Sequence, residues 1–166
     1  TFMREVVLKA DLGVDLHTGA LDRSNLPQVR ACTAILPEDK PRYVMGVGTP
    51  PQLLKMIASG ADMFDCVIPT RNARNGQMFT KKGAINICNA RFKYDTQPIE
   101  PGCTCYTCQH YSRAYLRHLY MSKELLAYRL NTIHNINFYM KLMEKMRTAI
   151  CQNKFDEFRK AFYEGK

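Results

Sequence analysis

No apolar run in this chain approaches the roughly 20 residues that a helix needs to cross a bilayer, which excludes a membrane-spanning helix. The first residues also lack the charged, apolar and small-residue order of a secretory signal, so the expected compartment is the cytoplasm. An even set of cysteines is missing too. Seven cysteines argue against a fully paired disulfide framework and for a reduced environment. Internal repeats and low-complexity tracts are absent, which removes solenoids and disordered tails from consideration. Acidic residues are scarce beside basic ones, 15 against 24, and the resulting net charge of +9 favours a polyanionic partner.

What is present is a chain of 166 residues, 46% of them hydrophobic, long enough for a domain with a real core. Residues 1–35 carry short apolar stretches without a readable period and stay unassigned. From Lys40 a polar, proline-containing lead runs into Tyr43-Val44-Met45 and stops at Gly46 and Gly48, the pattern of a buried strand. Thr49-Pro50-Pro51 then opens a short amphipathic helix with Leu53, Leu54, Ile57 and Ala58 on one face, ending at Gly60. Met63 to Ile68 reads as a second strand closed by Pro69. Strand, helix and strand within about thirty residues predict a βαβ unit with parallel strands. Ligands in such folds bind at the carboxyl ends of strands, and Asp65 stands near one of these ends.

Beyond Pro69, residues 70–76 read as a polar, basic loop carrying Arg71 and Arg74, and residues 77–87 as a β-hairpin with a glycine-containing turn. Tyr111, Tyr115 and His118 fall at i, i+4 and i+7 and predict an aromatic helix face, either core or subunit interface. Leu125 to Leu130 lead to Asn131 or Thr132 as the cap of a further helix, and Phe155, Phe158 and Phe162 mark a last one.

Cys103, Cys105 and Cys108 form the compact pattern C-x-C-x-x-C, and with His134 they make three thiolates and one imidazole, a complete tetrahedral zinc shell. His118 and His110 compete for the fourth place, His110 being the less suited because it lies so close to the cysteines in sequence. A full shell leaves no open position for water, so one zinc per chain is expected to hold the fold and not to do chemistry. The scattered Cys32, Cys66, Cys88 and Cys151 read as small buried hydrophobes.

Taken together, Pro41 to Gly48, Asp62-Met63-Phe64-Asp65-Cys66-Val67-Ile68-Pro69-Thr70-Arg71-Asn72-Ala73-Arg74-Asn75-Gly76, the cysteine pattern and Asn131-Thr132-Ile133-His134-Asn135 carry a specific resemblance. Over Leu36 to Tyr163 the chain resembles the C-terminal part of the queuine tRNA-ribosyltransferase (tRNA-guanine transglycosylase) family. The resemblance implies an α/β fold, part of a TIM (β/α)8 barrel with a zinc-binding subdomain and C-terminal helices. It implies barrel strands and catalytic loop over residues 36–90 and the zinc subdomain with its helices over 91–166. The implied activity exchanges guanine at the anticodon wobble position of tRNA for a 7-deazaguanine, with Asp65 as the nucleophile that bonds to the ribose. Arg71 and Arg74 match positions that grip the anticodon loop, and Cys103, Cys105, Cys108 and His134 match the zinc ligands. Tyr111, Tyr115 and His118 match a helix face that meets a second subunit in the bacterial family. The loop from Asn72 to Gly76 has the bacterial form, which implies preQ1 as incoming base and a homodimer.

The family chain is more than twice this length, and its first part supplies a barrel half, a second catalytic aspartate and the base-recognition residues. None of these is legible here, so the chain reads as a fragment or a truncated relative. The competing reading, from another class, is a zinc-stabilised tRNA-binding or dimerisation module without exchange chemistry. A DNA-binding zinc finger is excluded by the ligand spacing and by the lack of a recognition helix.

Overall fold

A computed structural model describes residues 26–165 as a mixed α/β chain that divides after Ile68 into two compact units. In the first unit, helix α1 (Leu26–Ile35) is followed by strand β1 (Tyr43–Val44), helix α2 (Pro50–Ile57) and strand β2 (Met63–Phe64). The two strands pair in parallel, Tyr43 opposite Met63 and Val44 opposite Phe64, so the expected βαβ unit is present. α2 starts where the sequence says it should: Pro50 and Pro51 occupy its first turn, and the Thr49 N–H and hydroxyl both donate to Gln52 Oε1 at 3.2 and 2.6 Å. Its apolar face buries Leu53, Leu54 and Met56 among Val44, Val47 and Ala61, the core of this unit. α1 is tied on by the Thr33 hydroxyl, which donates to the Ser59 carbonyl at 2.6 Å.

The second unit contains helix α3 (Ile68–Arg74) from Pro69 onward, the hairpin β3 (Gln77–Thr80) and β4 (Gly83–Asn86), and a 3-10 turn at Ala90–Phe92. Helices α4 (Tyr106–His110), α5 (Arg113–Met121), α6 (Leu125–Cys151) and α7 (Phe155–Tyr163) follow. The strands of the hairpin are antiparallel in the register Gln77 to Asn86 through Thr80 to Gly83, as its glycine turn predicts. Its core gathers Met78, Ile87, Phe92, Ile99, Leu116 and Leu130 around the buried sulfurs of Cys105 and Cys108.

Three expectations change here. Residues 70–76 are not simply a loop: α3 runs to Arg74 and stops in a turn at Asn75 and Gly76. Asn131 does not cap a helix, since α6 is continuous over 27 residues and Asn131 lies inside it with no exposed surface. The reason is a tertiary partner: its Nδ2 donates 3.3 Å to the Ala73 carbonyl, so the amide serves a neighbouring helix instead of its own terminus. The isolated cysteines are also less buried than expected, Cys32, Cys66 and Cys88 being half-buried and Cys151 exposed.

α6 presents Asn131, His134 and Asn135 on one buried face, the i, i+3, i+4 spacing of a helix. Asn135 does the most. Its Nδ2 donates to the carbonyls of Pro69 and Gln77 at 3.0 and 2.9 Å, and its Oδ1 accepts the Phe79 N–H at 3.1 Å. One amide thus joins the helix to both ends of the α3–β3 segment. Replacing it by alanine removes three hydrogen bonds to backbone groups, and Asn135→Ala is expected to cost about 3 kcal/mol in urea unfolding. Wild-type stability in that variant would show that the amide is not a structural joint.

Candidate functional site

The four sulfur and nitrogen atoms of Cys103, Cys105, Cys108 and His134 converge, all within 4.8 Å of one another. His134 Nδ1 stands 4.0, 3.6 and 3.3 Å from the sulfurs of Cys103, Cys105 and Cys108. These separations suit four ligands arranged about one ion with metal–ligand bonds of about 2.0–2.3 Å. The local sequence builds the cluster. Cys105 caps the N-terminus of α4 and its sulfur accepts the Cys108 N–H at 3.4 Å, the third ligand arriving one helical turn later. The Thr107 hydroxyl donates 2.6 Å to the Leu130 carbonyl, and Lys141 Nζ donates 2.6 Å to the Thr104 hydroxyl, docking this knuckle on α6.

The tautomer of His134 follows from its other nitrogen. Nε2 lies 2.8 Å from the Phe79 carbonyl, which can only accept, so Nε2 carries the proton and Nδ1 turns its lone pair toward the sulfurs. Hydrogen bonding from Cys108 holds the Cys105 thiol far below its usual range, at about 3, against the opposing effect of burial and with help from His134. Cys108 is pushed up by the same hydrogen bond and by burial, and burial raises Cys103. One thiolate is therefore favoured and the other two need a cation beside them. This donor set could hold one metal ion in a closed, protein-only shell. His110 and His118, the rival ligands, lie on the surface away from it.

Asp65 sits just beyond the end of β2 and is exposed. Its Oδ1 accepts the Tyr43 hydroxyl at 2.5 Å and the Gly46 N–H at 3.1 Å. Gly46 has φ of 70°, a conformation that costs other residues strain and that lets its N–H meet the carboxylate. A second glycine makes room: a Cβ on Gly48 would stand 2.0 Å from the Cys66 sulfur, so no other residue fits beside the segment that carries Asp65. Tyr43 and Gly46 did not emerge from the sequence as site residues. The signal was the parallel pairing itself, since Tyr43 opposes Met63 and Asp65 lies two residues further along the same face.

Arg71 and Arg74 occupy consecutive turns of α3 and are both exposed, so their guanidinium groups share one side of the helix. Tyr111, Tyr115 and His118 do not share one helix. Tyr111 ends α4 and Tyr115 and His118 belong to α5, which begins after the N-cap Ser112. The rings of Tyr111 and Tyr115 nonetheless stack, 5.5 Å apart and 13° from parallel. The core reading holds for Tyr111, half-buried against the core cluster, and not for the rest of the stripe: α5 buries Leu116 and Leu119, whereas Tyr115 and His118 are exposed. An open pocket of about 450 Å³ lies beside the stacked rings, lined also by Thr96, Pro98 and His110.

Among the described residues, no helix is long and apolar enough to cross a membrane. The family model described as queuine tRNA-ribosyltransferase matches residues 9–166, taking in most of the segment that the sequence left unassigned. The chain is 61% identical over 148 residues to the queuine tRNA-ribosyltransferase of Desulfosudis oleivorans, covering 89% of this chain and 38% of that protein. It is 62% identical over 128 residues to the one of Desulforapulum autotrophicum, 77% of this chain and 35% of the relative, and 59% identical over 131 residues to that of Vibrio campbellii, 79% and 35%. It thus spans somewhat more than a third of the length of these relatives. With a match over nearly its whole length and this degree of identity, the chain belongs to the queuine tRNA-ribosyltransferase family.

Proposed function

We propose that this chain is the C-terminal catalytic part of a cytoplasmic tRNA-guanine transglycosylase, a section of its TIM barrel followed by a zinc subdomain. The observation that carries this is the Asp65 carboxylate: exposed past a parallel strand, fixed through one oxygen and open at the other. A carboxylate so held is suited to trap the electron-deficient C1′ of a ribose. Asp65 attacks C1′ of the wobble guanosine as guanine leaves. The incoming 7-deazaguanine, preQ1 by the form of the Asn72–Gly76 segment, then displaces the carboxylate from the opposite face. Two inversions retain the configuration.

Arg71 and Arg74 supply the cationic grip on the anticodon loop, in keeping with a net charge of +9. A zinc ion fits the three thiolates and the imidazole, and when bound it supplies folding energy only, because its shell is complete. The stacked Tyr111 and Tyr115 with His118 are suited to pack against a second copy in a homodimer, since aromatic rings are enriched at such contacts. The non-catalytic module reading is not favoured, because the relatives that this chain matches are named queuine tRNA-ribosyltransferases.

Incubated with its tRNA, the protein should form a guanine-releasing covalent adduct that denaturing gels retain, and Asp65→Ala should abolish it; an undiminished adduct would refute the nucleophile. Neutralising Arg71 or Arg74 with glutamine should weaken tRNA binding and lower the slope of log affinity against log salt by about 0.7–0.9 for each phosphate left without its cation. Native mass spectrometry should find one zinc per chain in the wild type and none in Cys105→Ala, whose second-unit helices should unfold, and retained stoichiometric zinc would contradict the ligand set.

A further inference from the structure

Both hydrogen bonds to Asp65 fall on the same oxygen. The Tyr43 hydroxyl and the Gly46 N–H converge on Oδ1, and Oδ2 receives no hydrogen bond among the described residues. The two carboxylate oxygens are therefore chemically distinct before any substrate arrives. We propose, resting on the reading of Asp65 as nucleophile, that Oδ2 is the attacking atom and that Tyr43, with the Gly46 N–H, forms a two-donor anion site on Oδ1 whose task is the second half of the exchange.

The flow of electrons gives the direction. In the first half the Oδ2–C1′ bond forms, the C1′–N9 bond of guanine breaks, and guanine leaves with that electron pair and takes a proton from water. Oδ1 thereby changes from half of an anion to an ester carbonyl oxygen, a weaker acceptor. In the second half N9 of the incoming 7-deazaguanine bonds to C1′, the C1′–Oδ2 bond breaks with its pair returning to the carboxyl group, and the base loses its N9 proton to water. Negative charge then reappears on Oδ1, where two donors already wait, as in an oxyanion hole. Donors placed there stabilise Asp65 as a leaving group more than they help it as a nucleophile, since they also stabilise the carboxylate before attack.

Tyr43 is suited to the task. It is half-buried on β1, which pairs with the strand that leads to Asp65, so its ring is fixed by the sheet and not by a mobile loop. Its hydroxyl is pushed up to about 12, first by the hydrogen bond to Asp65, then by burial and by the nearby carboxylate charge. It thus remains a donor throughout the neutral range. Gly46 is the partner donor, held at φ of 70°.

Tyr43 is a positioning residue as well as a donor, and its test must separate the two halves of the reaction. The full chain and its Tyr43→Phe and Asp65→Ala variants are mixed with a guanine-bearing anticodon stem-loop RNA. Adduct formation is timed first, and its resolution is timed after adding the 7-deazaguanine base. In Tyr43→Phe resolution should slow about ten-fold while formation changes less than about three-fold, the size expected for one hydrogen bond to a charged oxygen. Adduct would then accumulate. Equal resolution in wild type and Tyr43→Phe, or equal slowing of both halves, overturns the inference while leaving Asp65 as nucleophile. An adduct that persists in Asp65→Ala overturns the nucleophile itself and this inference with it. A second measurement is independent of activity: in a titration of ring-labelled tyrosine by NMR, the Tyr43 signal should fall from about 12 toward 10 in Asp65→Ala. An unchanged value would show that the hydroxyl and carboxylate do not interact.

Discussion

The imidazole of His134 is held at both ends, and the second unit depends on that grip. Nε2–H is bonded to the Phe79 carbonyl on the hairpin and Nδ1 faces the three sulfurs of the knuckle, while the ring itself rides on α6. Hairpin, knuckle and long helix are therefore joined through one side chain with no exposed surface. The hydrogen bond to Phe79 also orients the ring for a metal and raises its basicity. Structural zinc contributes about 10 kcal/mol or more to folding in small domains, as much as the whole net stability of an ordinary one. A metal ion bound by this cluster would therefore weigh heavily in the stability of its unit.

The same face of α6 explains how a very short helix can present two arginines. Seven residues are too few for α3 to hold together in water on its own. It persists because the Asn131 and Asn135 amides bond to the carbonyls of Ala73 and Pro69, and the Tyr120 hydroxyl donates to the Arg74 carbonyl at 3.2 Å. These side chains add to the backbone bonding of the helix, where the Gly76 N–H also donates to the Ala73 carbonyl at 3.1 Å. Arg71 and Arg74 are in turn left facing outward, while the amides perform the structural duty.

In the first unit the constraint is of another kind. Two paired strands of two residues each are little to build on, and order comes from close packing and from the carboxylate itself. Val47, Leu54 and the glycine at position 48 bring the segments into contact, and the Asp65 carboxylate bonds back across to Tyr43 and Gly46. The carboxylate thus stitches its own strand to its neighbour, so its placement and the local order are set by the same bonds.

Local chemistry was legible from the residues alone. Glycine and proline punctuation located β1, α2 and the hairpin, because turn geometry and strand period are properties of adjacent residues, whereas β2 stops at Phe64 and Pro69 opens a helix instead of closing the strand. The convergence of Cys103, Cys105, Cys108 and His134 into a group that could hold a metal was legible for a similar reason, since three cysteines fall within six positions. What the tertiary structure alone decided is which partner each polar group finds. Asn131 has the residue type of a cap and is instead a buried joint, because a carbonyl 58 residues away accepts its amide. Tyr111 follows the helical period of Tyr115 yet lies outside that helix, because it ends α4 in an extended conformation and the Ser112 hydroxyl accepts the Tyr115 N–H to start α5. Tyr43 and Gly46 meet Asp65 across 22 and 19 residues. Hydrogen bonds of such separation carry no periodic trace in a sequence, since only the folded chain brings donor and acceptor within reach.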